Sequence, residues 1–516
     1  MTTTLSSFLS GRWYTGTGTA ATLSNPSTGE PVATCSTGGA DFAAAVAHAR
    51  DVGGPALRAM TFAQRGAMLA TLAKCLNDAR EELIALAVAN GGNTRGDAKF
   101  DIDGAAGTLN FYADLGKQLG EVKVLPDGEG VGLGRSARLF GQHVYTPRHG
   151  VAVHINAFNF PAWGLGEKAA VAWLAGMPVI AKPATSTALV AWKIAELWVK
   201  SGALPTGAFA FIAGGVGDLL SHLQGQDVLA FTGSSNTALT LRRHETVAAQ
   251  GVHVNIEADS LNSAILGPDV ALGSETLNMF FTDVVKEMTQ KTGQKCTAVR
   301  RIYVPRALLD DVKAGLVERL REVKVGNPAD EKHTMGPVAT EQQFKDVRAG
   351  IERLAAVYET ACGGAAPVHP TGCFIAPTLF VNKSPKAVGD VVNGHEVFGP
   401  VATLIAYDEL PALAAHVAAG GGGLVSSVYS DDREWTAQVL SEIAPFHGRV
   451  TVSSEKVAGQ TMFPGMVLPQ LLHGGPGRAG GGEELGGRRG LALYMQRTAL
   501  QGPRAWVEAF AGVKAP

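Results

Sequence analysis

From Val151 onward, short apolar runs alternate with helical stretches, and this alternation constrains the fold more than any other feature of the chain. Val151 to Ile155, Met177 to Ala181, Ala208 to Ile212 and Val228 to Phe231 read as buried strands. Gly164 to Ala175, Thr187 to Ser201 and Gly217 to Leu223 read as the helices between them, and Gly233 opens another. Strands that are apolar throughout and separated by helices predict an α/β fold built on a parallel, doubly wound sheet with both faces covered. Sheets of this kind bind ligands beyond the carboxyl ends of their strands.

At 516 residues the chain is too long for one core, so two or more domains are expected. A second α/β region is predicted from about Gly273 to Val467, with strands at Arg301 to Val304 and Val401 to Ala406. Residues 13–128 read as largely helical after a hairpin-like start, with Phe62 to Ala89 at helical spacing. Residues 137–148 read as extended, Gly474 to Gly487 as a structured loop, Leu491 to Leu500 as a strand and Ala505 to Ala511 as a helix.

Charge narrows the partners. Lys plus Arg is 44 and Asp plus Glu is 46, a net charge of -2, which argues against nucleic acid and anionic membrane. Met1 to Gly11 lacks the pattern of a signal peptide, and Ala169 to Ala181 is too short to span a bilayer, so a cytoplasmic location is expected. The five cysteines, Cys35, Cys75, Cys296, Cys362 and Cys373, are scattered, odd in number and free of any CxxC pair. That argues against a disulfide framework and a structural zinc, and no metal is expected.

A few residues have chemical potential by position. Cys296 lies between a helical stretch and the strand at Arg301, where a thiolate could act as a nucleophile or a buried thiol could be inert. Glu257 ends the apolar run Val252 to Ile256. A carboxylate there can have a raised pKa and serve as a general base, or be an ordinary strand-end acid. Asn159 follows the first strand of the alternating unit and precedes Phe160-Pro161, as an oxyanion donor or as a turn residue. Lys182 closes the second strand. Gly233 and Ser234 open a helix whose free N–H groups suit a pyrophosphate. No GxGxxG fingerprint accompanies them, and Gly214-Gly-Val-Gly217 is a weak substitute.

Taken in order, seven segments resemble the aldehyde dehydrogenase superfamily over almost the whole chain: Asn159-Phe-Pro, Lys182-Pro-Ala, Phe231-Thr-Gly-Ser234, Glu257, Gly293-Gln-Lys-Cys296, Glu396-Val-Phe-Gly-Pro400 and Glu484-Leu-Gly486. The resemblance implies Cys296 as nucleophile, Asn159 as oxyanion donor with the Cys296 backbone N–H, and Glu257 as the base for the deacylating water. It implies Lys168 and Glu484 as a proton relay, and Asn156, Phe158, Lys182, Ala184, Thr185, Gly233, Ser234, Glu396 and Phe398 as the cofactor site, the last two holding the nicotinamide ribose. The implied cofactor is NADP, with NAD possible, because Thr185 stands where NAD-using members carry Glu.

The same resemblance implies a Rossmann-like cofactor domain at residues 1–128 and 149–265, an α/β catalytic domain at 266–487 and a β-extension for oligomerisation at 129–148 and 488–516, in a homodimer. The chain departs from the family pattern at Ala258-Asp259-Ser260 after the base, at Lys295, and in the tail from His473 to Gly487. These departures resemble the branch that oxidises CoA-linked semialdehydes in aromatic-acid degradation, such as benzoate oxidation, so the expected substrate is a small aldehyde of that class. The alternatives are a CoA-acylating aldehyde dehydrogenase, against which Glu257 argues, and a non-catalytic paralogue, against which the joint presence of Cys296, Glu257 and Asn159 argues.

Overall fold

The first seven-stranded sheet grows outward from the strand Ala152–Ile155. Val179–Lys182 and then Phe209–Phe211 pair on one side of it, and Val228–Thr232 and then His253–Glu257 on the other, all parallel. The antiparallel strands Ser7–Leu9 and Arg12–Tyr14 complete the far edge. Strand order therefore reverses at Ala152–Ile155, and the carboxyl end of that strand is where a crevice opens in such sheets. This is a computed structural model, and it describes residues 2–386, 388–460 and 462–512. Met1 and residues 513–516, at the ends of two expected domain segments, lie outside the described residues.

The interior strands are buried along their whole length, which is why they read as unbroken apolar runs. Helix Trp163–Ala175 packs on one face and is apolar nearly all round. Trp173 anchors it edge-on to Trp198 and Phe209, with ring centroids 5.3 and 5.6 Å away. The Trp173 indole N–H donates to the Ala208 carbonyl at 2.9 Å, which satisfies its one polar atom inside the core.

A second seven-stranded sheet is parallel through Thr378–Asn382, Val401–Tyr407, Val299–Pro305, Asn262–Leu266, Gly423–Tyr429 and His447–Ser453, with Glu359–Cys362 antiparallel at the edge. A separate antiparallel sheet joins Leu125–Gly132, Leu139–Pro147 and Met495–Pro503. The molecule is of the expected α/β class. No helix among the described residues is long and apolar enough to cross a membrane.

Several elements differ from the sequence reading. Phe62 to Ala89 is two helices, Phe62–Asp78 and Arg80–Gly91, because the chain leaves helical geometry at Ala79 behind the weak helix formers Asn77 and Asp78. Leu491–Tyr494 is a helical turn and the strand begins at Met495, since four apolar residues do not distinguish the two periods. The helix after Gly233 begins at Ser235, with Ser234 as its N-cap. The glycine-rich tail is not a simple loop: Leu472–Gly474 and Glu483–Leu485 pair as antiparallel strands with His473 opposite Glu484.

Candidate active site

Three chain segments converge at the carboxyl end of the switch strand Ala152–Ile155. Residues 156–161, directly after it, carry Asn156, Phe158 and Asn159. The second, Gln290 to Thr297, carries Cys296 and reaches it through three successive left-handed residues, Lys291 (φ 52), Thr292 (φ 56) and Gly293 (φ 66). Left-handed geometry at two non-glycine residues is strained and persists only where the surroundings over-determine it. Here the Thr292 hydroxyl donates to the Gly336 carbonyl at 3.0 Å, and the Lys291 ammonium lies 4.2 Å from the centre of the Phe160 ring. Gly293 abuts Gly399, where a Cβ would come within 2.2 Å of the carbonyl oxygen.

The third segment is the tail hairpin. It lies against the end of the strand that carries Glu257, with Gly482 N–H donating to the Ile256 carbonyl at 3.0 Å and Ala258 N–H to the Ala479 carbonyl at 3.0 Å. A Cβ on Gly480 or Gly482 would sit 2.4 Å from the Ile256 oxygen. The glycines therefore permit the close backbone approach that brings His473 and Glu484 beside Glu257.

These segments line a cavity of about 40 Å³ whose walls include Asn159, Lys168, Glu257, Cys296 and His473. Asn159 Nδ2 donates to the Gln294 carbonyl at 3.0 Å, which leaves its second N–H free. Glu257 is only 2% exposed, and its Oε2 stands 3.2 Å from His473 Nε2. Cys296 Sγ is 3.8 Å from that same nitrogen. Buried Lys168 lies 3.0 Å from Glu484 and 3.4 Å from Glu167, and it donates to the Thr232 hydroxyl at 2.7 Å. Asn255 Nδ2 donates to the other Glu484 oxygen at 3.2 Å.

Electrostatics in this cavity depart from the expectation for Glu257. Burial pushes its carboxyl up, but His473 and then Lys168 more than reverse this and hold it at about 2. The sequence reading weighed a base with a raised pKa against an ordinary strand-end acid; the carboxyl is lowered instead because the tail sets the His473 imidazole beside it. The Cys296 thiol is pushed well above its ordinary 9.0, by burial first and then by Glu257 and Glu167. Burial raises Glu167 to about 7.

The cofactor-type residues form a second group on the same crevice. Both amide atoms of Asn156 are buried without a hydrogen-bond partner, an unmet polar demand at the site where a dinucleotide is expected. Lys182 has no acid within ion-pair distance among the described residues, and burial lowers its pKa. Thr185 donates its hydroxyl to the Gly214 carbonyl at 3.3 Å. Phe398 meets Phe158 edge-on at 5.8 Å. Glu396 is engaged by Arg300 at 3.0 Å and by Ser260 N–H at 2.9 Å. Ala184 caps the short turn Thr185–Thr187, and Gly233 N–H donates to the Glu257 carbonyl at 3.1 Å. The unpartnered Asn156 amide and Lys182, which has no acid beside it among the described residues, fit a dinucleotide in this crevice. One expectation needs revising: the helix start at Ser234 is not wholly open, because Ser235 N–H donates to Asp259 at 3.1 Å. The departure residue Asp259 thus occupies part of the proposed pyrophosphate cradle.

Two residues were not among the sequence candidates. His473 was seen only as the start of an atypical tail, and Glu167 not at all. Lys295, noted as a departure, points away from the cavity and pairs with Glu287 at 2.9 Å, both side chains fully buried.

The model of the aldehyde dehydrogenase family matches residues 13–499. A 3,4-dehydroadipyl-CoA semialdehyde dehydrogenase from Aromatoleum evansii is 43% identical over 482 residues, covering 92% of this chain and 93% of the relative. Lactaldehyde dehydrogenase from Escherichia coli superposes with a TM-score of 0.85 at 22% identity, covering 97% of this chain and 99% of that one. The NAD+ complex of an aldehyde dehydrogenase from Bacillus cereus superposes with a TM-score of 0.82 at 23% identity, covering 97% and 96%. At those identities the two structures speak to the fold alone.

Proposed function

The chain belongs to the aldehyde dehydrogenase family, and from that premise we propose that it oxidises an aldehyde to the carboxylic acid through a thioester on Cys296. The observation that carries this reading is the convergence of Cys296, Asn159 and Glu257 on one enclosed cavity. Sulfur attack on the aldehyde carbonyl creates an oxyanion, for which the free Asn159 N–H and the Cys296 backbone N–H are the donors. A nicotinamide dinucleotide, when bound, accepts the hydride. Glu257 then draws a proton from the water that hydrolyses the thioester, and the Lys168–Glu484 pair carries protons toward solvent.

The residues that would hold the dinucleotide are Asn156, Phe158, Lys182, Ala184, Thr185, Gly233, Ser234, Glu396 and Phe398. NADP is the proposed preference. Thr185 puts no negative charge where a 2′-phosphate would lie, and unpaired Lys182 stands three residues earlier. The substrate class is a CoA-linked semialdehyde, on the strength of the relative from Aromatoleum evansii. A wider cavity of about 580 Å³, sharing Phe100, Trp163 and Val467 with the inner one, supports a long substrate arm. The domain limits and the homodimer of the sequence reading stay proposals too; the strand Met495–Pro503 lies at a sheet edge open to a second copy. Sedimentation as a stable 53.6 kDa monomer would contradict the dimer.

The decisive experiment is Cys296→Ala, assayed for reduced cofactor at 340 nm with CoA-linked and free semialdehydes and both dinucleotides. Turnover should vanish while dinucleotide binding stays within about threefold. Turnover within tenfold of wild type would end the reading. A wild-type kcat/KM that favours NAD would remove the NADP preference, and one that favours the free semialdehyde would remove the CoA link.

A further inference from the structure

His473 belongs to the strand Leu472–Gly474, is 4% exposed, and has no role in the reaction as described so far. Its Nε2 is 3.2 Å from Glu257 Oε2 and 3.8 Å from Cys296 Sγ. One nitrogen therefore stands between the nucleophile and the acid–base carboxylate. Resting on the assignment of those two residues above, we propose that His473 Nε2 is the immediate acceptor of the Cys296 thiol proton and that Glu257 holds the imidazolium so formed.

The step is a proton transfer. The S–H bond breaks with both electrons left on sulfur, and an N–H bond forms from the imidazole lone pair. No oxidant or reductant takes part and the total charge of the cavity is unchanged. The ring must begin neutral with its proton on Nδ1, leaving Nε2 as acceptor.

The surroundings suit an imidazolium at this position. Burial opposes a charged ring, but Glu257 and then Glu167 outweigh it and the opposing charge of Arg449, and the imidazole is displaced upward. The charged groups facing this pair come from several elements: Glu257 at its strand end, Glu167 and Lys168 on helix Trp163–Ala175, Glu484 on the partner strand, Arg449 on His447–Ser453, and Glu396 toward the cysteine. The excess of acids stabilises an imidazolium and opposes a lone thiolate, so sulfur can ionise here only with a cation beside it.

The test is the pH dependence of Cys296 alkylation by iodoacetamide in the full-length enzyme, with the labelled residue identified by mass spectrometry. Wild type should label with its inflection at a lower pH than His473→Gln, because an imidazolium offsets part of the rise that burial and the acids impose on the thiol. In His473→Gln the inflection should move above 9, and the rate at pH 7.5 should fall about ten- to a hundredfold, since each unit of thiol pKa changes the thiolate fraction about tenfold. A purely structural role for His473 would lower the folded fraction without moving the inflection. Superimposable profiles for the two proteins overturn the proposal. If Cys296→Ala keeps its turnover, the underlying assignment of the nucleophile falls as well. If that variant is dead but the wild-type and His473→Gln profiles superimpose, only the role of His473 falls.

Discussion

Two buried clusters of charge flank Cys296, and they are built on opposite terms. Behind the nucleophile, Lys295 meets Glu287 one to one at 2.9 Å, with Gln290 accepting from the same ammonium at 3.0 Å and Gly465 N–H donating to the carboxylate at 3.0 Å. In front of it, Glu167, Glu257 and Glu484 share one lysine, Lys168, and one imidazole, His473. The rear pair is matched one to one and does not line the cavity. The front cluster carries more carboxylates than cations, so its members share protons and titrate together. A matched buried pair fixes geometry, whereas a mismatched one facing a cavity can do acid–base work.

The widest gap between the clusters should appear on substituting Glu257. In Glu257→Gln the amide cannot take a proton from water, and steady-state turnover should fall about 10²- to 10⁴-fold. The first turnover should survive as a burst of reduced cofactor followed by a slow phase. Rapid-mixing absorbance at 340 nm reads both phases. An unchanged steady rate would mean that the front cluster contributes no base and that the contrast is empty.

Next in size is the mirror experiment behind the cysteine. Lys295→Met strands the Glu287 carboxylate in the interior, which should cost about 3–5 kcal/mol of unfolding free energy. Urea denaturation measures it. Kinetic constants of the folded fraction should stay within about tenfold, and the Lys295→Met, Glu287→Met double variant should recover part of the loss. If the single variant keeps its stability but loses its chemistry, the division between the two clusters is wrong.

The two clusters also differed in how far the sequence disclosed them. Cys296, Glu257, Asn159 and Glu484 lie in segments with readable motifs, Lys168 followed only from the resemblance those motifs carry, and the first sheet announced itself because its central strand is mostly apolar and buried throughout. His473 was hidden by the run of glycines after it, which reads as loop. The usable signal was Leu471-Leu472-His473 and Glu484-Leu485 flanking that run, a short hairpin whose glycines allow contact with Ile256. Glu167 was hidden for another reason: it sits in an apolar helix beside Lys168, and only the fold brings Glu484 and Glu257 near enough to change its titration. Asp259 looked like a simple departure, and its hold on Ser235 N–H depends on how two strand ends are juxtaposed. Local chemistry was legible, but contacts between separate segments were not.

The smallest effect expected is also the most specific to the front cluster. Burial holds the Glu167 carboxyl at about 7, above its ordinary 4.5, with Lys168 opposing and Glu484 adding to the rise. A carboxyl raised in the folded state binds its proton more tightly there than in the unfolded chain. Its contribution to stability is therefore fully present below about pH 4.5 and is lost as pH rises through about 7. At most 1.36 kcal/mol is lost per pH unit across that window, and less where Lys168 and its neighbours shift protons in response, so a total on the order of 1–2 kcal/mol is expected. Glu167→Gln keeps the shape and removes the titration. Its unfolding free energy, measured by urea at intervals from pH 5 to 8, should decline less steeply than that of wild type, and the two curves should separate most at pH 8. Parallel slopes for wild type and Glu167→Gln would show that the front cluster does not share protons across neutral pH, and the distinction between the two clusters would then rest on position alone.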